Sequence, residues 1–174
     1  MNLLALKKLT EQAEGRVNHF YLDALGKPTI GVGRLVPTEE SAVKLAFAPP
    51  DQIREDYRRV CSASPGLLPS AYSHLCTARM PDEAVDALLE ADMQEFVSVM
   101  KRQFPEYETW PETVQEAVFD IDFNVGPEHF SAFHHLIAGL HSRDWKECAA
   151  QCHRKPPVSE ERNKRTAALF LAAA

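Results

Sequence analysis

Three residues near the start of the chain have types and a spacing from which hydrolytic chemistry can be built. Glu14 is followed nine residues on by Asp23 and six further by Thr29, inside the stretch EGRVNHFYLDALGKPTIGVGRL. Two carboxyl groups on opposite sides of a sugar ring can share glycoside hydrolysis, one protonating the leaving oxygen and the other directing water. A carboxyl in a partly apolar setting keeps its proton because desolvation disfavours the charged form, whereas one on an open polar turn stays ionised. Glu14 at a helix end would take the first role and Asp23 the second, with Thr29 helping to hold the water. Glycines 31 and 33 would let substrate approach the backbone. Each residue also has an ordinary reading: a solvated helix-end acid, a turn former and a strand residue. A phosphate-binding reading of Gly31-Val32-Gly33 lacks both the third glycine of G-x-G-x-x-G and a surrounding βαβ alternation.

The elements that must position these groups are mostly helical. Leu3, Leu6, Leu9 and Ala13 recur at helical spacing, so residues up to about Glu14 read as an amphipathic helix that Gly15 helps to end. From Asn18 to Gly33, aromatic and β-branched residues flank Ala24-Leu25-Gly26-Lys27-Pro28, which predicts a short β-hairpin or small sheet, the one convincing strand region. Helix resumes at Pro37-Thr38, and again after Ala48-Pro49-Pro50-Asp51 through about Val60. Ser62 to Pro81 reads as a loop-rich connection. A long helix follows from about Pro81 to Phe104 with the stripe Val85, Leu89, Met93, Phe96, Met100 and Phe104, the spacing of a core-facing surface. Thr109 to Glu112 resembles a capping box opening a helix with Val114, Ala117, Val118 and Ile121 buried, which stops near Gly126. Pro127 restarts helix with Phe130, Phe133, Ile137 and Leu140. Ser142 is placed to cap the next helix and Ser159 the last. The fold class is therefore α+β and mostly helical, in a single domain over residues 1–174.

Composition excludes several classes of function. Hydrophobic residues make up 45% and charged residues 25%, with no apolar run near the roughly 18 residues a membrane span needs. The net charge of −6 gives no general attraction to nucleic acid. The N-terminus has lysines after its short apolar run, so it does not read as a secretory signal, and the chain is expected to be made in the cytoplasm. Cys61, Cys76, Cys148 and Cys152 are expected to be free and mostly buried thiols. Cys148, Cys152 and His153 cluster on a predicted helix, but a convincing metal site needs about four ligands, so neither metal nor cofactor is expected.

The arrangement of Glu14-Gly15, Asp23 and Pro28-Thr29-Ile30-Gly31-Val32-Gly33-Arg34-Leu35 resembles the catalytic stretch of phage-type lysozymes, glycoside hydrolase family 24. Ala117 to Gly126 resembles that family's A-x-x-S-x-x-F-N-x-G helix end. Glu161-Arg162-Asn163-Lys164-Arg165 through Leu169-Phe170 resembles its arginine-rich final helix. The resemblance implies a small β-hairpin lobe, about 14–80, and a helical lobe, about 81–174 with the N-terminal helix, joined by the long helix, with a peptidoglycan strand in the cleft. It implies Glu14 as general acid, Asp23 and Thr29 as holders of the attacking water in an inverting mechanism, and Gly33, Leu35 and Asn124 as cleft-lining residues. It implies Arg162 as the arginine that pairs with the catalytic glutamate. The implied activity is a muramidase that cuts between N-acetylmuramic acid and N-acetylglucosamine, as an endolysin acting in the periplasm or cell wall, while the acidic balance and the lack of a signal fit a secreted antibacterial effector with an immunity partner equally well. A noncatalytic peptidoglycan- or partner-binding module is the alternative. Two departures stand out: Arg34 where the family commonly has histidine, and Asp120 where a small residue is expected.

Overall fold

The computed structural model describes residues 7, 10, 11, 15–156 and 158–174. The expected helix over Leu3 to Glu14 lies largely outside them, although Lys7, Thr10 and Glu11 are helical. The chain divides into two compact units, one over Lys7–Met93 and one taking in Gln94–Ala174.

In the first unit, β1 (Val17–Leu22), β2 (Pro28–Gly31) and β3 (Arg34–Leu35) form an antiparallel sheet in the order β1-β2-β3. The α1 helix (Glu39–Val43) starts at Thr38, whose side chain accepts from Ser41 N while Ser41 caps back, so both first-turn amides are satisfied. The α2 helix (Pro50–Cys61) has proline at its first position, where a missing N–H costs nothing. Its Tyr57 ring meets Phe20 edge-on at 5.7 Å, and its hydroxyl donates to Val36 O at 3.0 Å. Burial pushes the Tyr57 phenol up to about 12. The segment expected to be irregular contains a 3₁₀ helix (Pro69–Leu75) beside β1, where His19 Nε2 lies 3.0 Å from Pro69 O. Buried Asp56 accepts from Thr77 N at 2.9 Å and Ala78 N at 2.7 Å, fastening the far end of that segment to α2.

The α3 helix (Asp82–Gln103) is the long helix, and all six residues of its expected stripe are buried. In the second unit follow a 3₁₀ turn (Tyr107–Thr109), α4 (Glu112–Val125), α5 (Pro127–Phe130), α6 (His134–Ser142), α7 (Trp145–Gln151) and α8 (Glu160–Leu171). The expected buried face of α4 is buried, and Phe119 meets Phe96 at 4.6 Å, nearly perpendicular. Three local expectations fail. The capping box at Thr109 does not form, because Pro111 is the cap residue and the Thr109 hydroxyl donates to Glu106 O instead. Ser142 ends α6 rather than capping α7, since Asp144 accepts from Glu147 N. The helix restarted at Pro127 breaks after Phe130, and the buried face of α6 is Leu136 and Leu140, with Ile137 half-buried. Ser159 does cap α8, accepting from Arg162 N at 3.2 Å.

All four cysteines are free; Cys61 is exposed and the other three are buried. Cys148 lies on α7, but His153 lies beyond its end and sits 3.0 Å from Glu160. No group of three or more His, Cys, Asp or Glu among the described residues is placed to hold a metal. No helix among them is long and apolar enough to cross a membrane.

Candidate active site

The Asp23 carboxylate is fixed by the turn it starts. Its Oδ1 accepts from Leu25 N and Lys27 N, each at 2.8 Å, while its own N–H donates to Lys27 O at 2.9 Å. An acid that folds the backbone onto its own side chain is what makes Asp a turn former. Gly26, with φ +75°, closes the turn in the left-handed region that side chains disfavour. The Thr29 hydroxyl donates to the same Lys27 carbonyl at 3.0 Å. The backbone of one residue, Lys27, thus orients both groups, one through its N–H and the other through its carbonyl. The hydroxyl proton is occupied, so the Thr29 oxygen presents lone pairs. The second oxygen of Asp23, Oδ2, is not engaged by any described residue in the turn.

Register then places the neighbours. Thr29 stands opposite Tyr21 on one side and Leu35 on the other, and directly opposite residues share a face of the sheet. Thr29 is buried, whereas Leu35 is 42% exposed. Gly33 lies in the turn between β2 and β3. Gly31 has a reason that sequence reasoning missed. With φ +70°, Gly31 takes a backbone conformation that side chains disfavour and so serves the turn, while Leu88 Cδ2 of α3 packs beside it at a distance that would be ordinary contact for a Cβ, 3.4 Å. Arg34 Nη1 pairs with Asp92 Oδ1 on α3, a second tie between sheet and helix.

Glu14 lies outside the described residues, but Gly15 and Arg16, next in the chain, are firmly held. Gly15 N donates to Glu11 O at 2.9 Å. The Arg16 guanidinium donates to Glu11 at 2.7 Å, Asp86 at 2.9 Å, Asp82 Oδ1 at 3.2 Å and Asp82 O at 2.7 Å. The Lys7 ammonium and the Arg16 guanidinium hold the Asp86 carboxyl below its ordinary range. Asp82 and Asp86 are four residues apart on one helix face, the spacing that brings two carboxylates to one cation. That spacing was the available sequence signal for the clamp.

Asn124 and Arg162 belong to the second unit. Asn124 is half-buried near the end of α4. Arg162 donates from Nε to Asp120 Oδ1 at 2.9 Å, and its Nη2 lies at 2.9 Å from the same oxygen. The other oxygen of Asp120 accepts from Arg154 Nη2 at 2.8 Å and Thr166 Oγ1 at 2.6 Å. Arg154, 2% exposed, also donates to Asp120 O and Asn163 Oδ1. Burial pushes the Asp120 carboxyl up, but Thr166, Arg154 and Arg162 outweigh it and hold the group below its ordinary range. Two residues on, Asp122 is buried with no partner at Oδ1, and burial alone pushes it up to about 6.

The family model described as phage lysozyme matches residues 11–160. The chain belongs to the phage lysozyme family. Membership makes it, in general terms, a peptidoglycan hydrolase of the endolysin kind. The match takes in the Asp23 turn, the sheet, α3 and α4, and reaches the first residue of α8. No curated protein matches the chain. Thr29 and Leu35 come together across adjacent strands, with Asp23 joined to Thr29 through Lys27. Arg154, Arg16 and Asp122 are the residues at these places that sequence reasoning did not single out.

Proposed function

We propose that the chain is a muramidase that cleaves the β-1,4 bond between N-acetylmuramic acid and N-acetylglucosamine with inversion at the anomeric carbon. Glu14 donates its proton to the leaving oxygen as that bond breaks. A water held by Asp23 and Thr29 attacks the anomeric carbon from the opposite face, and Asp23 takes the water's proton. The observation that carries this reading is the Lys27 backbone. It holds Asp23 through its N–H and Thr29 through its carbonyl, so that one carboxylate oxygen and one hydroxyl lone pair can accept the two hydrogens of a single water. Leu35, on the face of Thr29, and Gly33, in the adjoining turn, are the groups on which the glycan would rest, with Asn124 a further polar contact. Arg162 is the charged support of the acid. Activity belongs in the cell wall or periplasm, where the substrate lies. An endolysin or a delivered antibacterial effector fits this chemistry, the latter with an immunity protein in the producing cell.

The test is turnover of purified peptidoglycan by the parent and by Glu14→Gln, which keeps shape but removes the transferable proton. The parent should release new reducing sugar ends and no new amino groups. Glu14→Gln should lose about 10²- to 10⁴-fold in rate with an unchanged melt. Cleaved stem peptides on intact glycan would overturn the reading in favour of an amidase, and binding without any cleavage by the parent would favour a noncatalytic module.

A further inference from the structure

The turn that carries Asp23 closes on a glycine, the residue whose backbone moves most freely. Leu25 N and Lys27 N, the two amides that hold Asp23 Oδ1, belong to the residues on either side of Gly26. The side of Gly26 on which a side chain would project is occupied from outside the turn. A Cβ built there would lie 3.3 Å from Pro65 Cβ and 3.9 Å from Pro65 Cγ, so the proline ring sits against the glycine. Pro65 is itself held. The hydroxyl of Tyr72, a buried residue of the 3₁₀ helix, donates to Ser64 O at 2.8 Å. Ser64 O and the ring nitrogen of Pro65 share one planar peptide, and the ring fixes φ near about −65°, so a bond at that oxygen sets where the ring points. At the far end of the same stretch, Pro69 O lies 3.0 Å from Nε2 of His19, a buried residue of β1. A carbonyl can only accept, so Nε2 carries the proton of that contact. Residues 64–69 are therefore a strap pinned at both ends within the first unit, with one ring pressed on the Asp23 turn.

We propose that Pro65 is a positioning residue for the hydrolysis, acting through Gly26 on Asp23, with Tyr72 setting the place of its ring. The hydrogen bonds of the turn choose its shape, and the ring removes the backbone swings that a glycine between Leu25 and Lys27 would otherwise allow. Both amides then stay directed at Asp23 Oδ1, and the second carboxylate oxygen keeps one direction in which to meet water. The Lys27 backbone also orients Thr29, so the stop acts on both of the groups that would hold the water. The inference rests on the muramidase reading, in which those two groups hold the attacking water.

The experiment compares Pro65→Gly, Pro65→Ala, Tyr72→Phe and Leu68→Gly with the parent in kcat and KM on soluble glycan fragments, each with a thermal melt and amide hydrogen exchange. Misplacing a group by about 1 Å can cost about 100-fold, and a loosened turn moves Asp23 less far, so Pro65→Gly should lower kcat about 5- to 30-fold with KM within about 2-fold. The Leu25 and Lys27 amides should exchange at least about 5-fold faster, while the amides that pair β1 with β2 keep the parent rates. Pro65→Ala keeps the Cβ, the atom nearest Gly26, and should retain more activity than Pro65→Gly. Tyr72→Phe should move kcat and the two amides in the same direction, by about 2- to 10-fold. Leu68→Gly adds backbone freedom at an exposed position of the same strap and should leave both readouts within about 2-fold. In an Asp23→Ala background, Pro65→Gly should change the remaining kcat by less than about 2-fold. Unchanged kcat in folded Pro65→Gly and Tyr72→Phe overturns the proposal, as does unchanged exchange at Leu25 and Lys27. An equal loss in Leu68→Gly, or in the Asp23→Ala background, overturns it too. With Glu14→Gln inactive, any of these results leaves the muramidase reading standing; an active Glu14→Gln overturns both.

Discussion

Asp23 is held by amides two and four residues ahead of it, whereas Asp120 is held by side chains and an arginine cluster from 34 to 46 residues away. The first arrangement is complete once five consecutive residues have turned, and it is served by a part-exposed carboxylate. The second exists only when α4, α8 and the segment between α7 and α8 have all packed, and its central arginine is almost fully covered. Local fixing leaves a side chain that can be altered with little harm to the fold. Fixing by long-range contacts makes the group part of what holds the fold together.

The largest test of that contrast sets one substitution from each region side by side. Arg154→Ala removes a buried cation and leaves Asp120 short of a partner, a change that typically costs about 3–5 kcal/mol. Chemical denaturation should show that loss. Asp23→Ala, which gives up two hydrogen bonds in a turn, should cost about 1–2 kcal/mol by the same measurement. The order should reverse in turnover per folded molecule, where Asp23→Ala should lose at least about 10²-fold. Equal effects on both axes would dissolve the comparison.

A smaller effect is expected at Asp122, which lies in the cluster's own helix but has no partner at Oδ1. Its folded pKa of about 6 lies above the ordinary aspartate value near about 4, so the protonated form is favoured by folding. The stability this group contributes is full below about pH 4 and is lost as pH rises through about 6. The gap corresponds to on the order of 3 kcal/mol. Asp122→Asn should therefore be about 1–3 kcal/mol more stable than the parent at pH 7.5 and nearly equal to it at pH 4, as read by denaturation at the two values. A buried Asp122 that behaves alike at both would mean that it is hydrated.

The smallest effect belongs to Arg34, 40% exposed at its side chain, in the pair with Asp92. A guanidinium keeps its charge across the working range, whereas a histidine is charged only below roughly pH 6.5. Arg34→His should match the parent at pH 5 and lose about 0.5–1 kcal/mol by pH 8, since the pair is partly exposed. Melts at the two pH values check this.

Periodicity and punctuation made much of this fold legible. The stripe from Val85 to Phe104 needed only a 3.6-residue repeat, and Pro50 and Ser159 marked helix starts by rules that act within one turn. The Asp23 turn was legible for the same reason, since its hydrogen bonds span at most four residues. Thr109 and Ser142 misled because a hydroxyl near a helix has several acceptors within reach, and the chosen one depends on packing. Arg154 was illegible because its value comes from burial beside Asp120 and Asn163, and nothing in the Cys152-His153-Arg154-Lys155 sequence distinguishes it from a surface arginine. The break after Phe130 likewise has no proline or glycine to announce it.

The clamp of Asp56 on Thr77 and Ala78 has a consequence for how this chain can vary. Because α2 receives the chain's return, and Met80 N donates to Asn18 O at 2.8 Å on the edge of β1, the stretch between Cys61 and Met80 is closed at its base like a drawn purse. Closing entropy grows only slowly with length, so residues added at the exposed Gly66-Leu67-Leu68 tip cost little once the base is tied. The tip is thus the place where the chain can accept a cut or a graft, with the two ends kept in register by a carboxylate that never leaves the core.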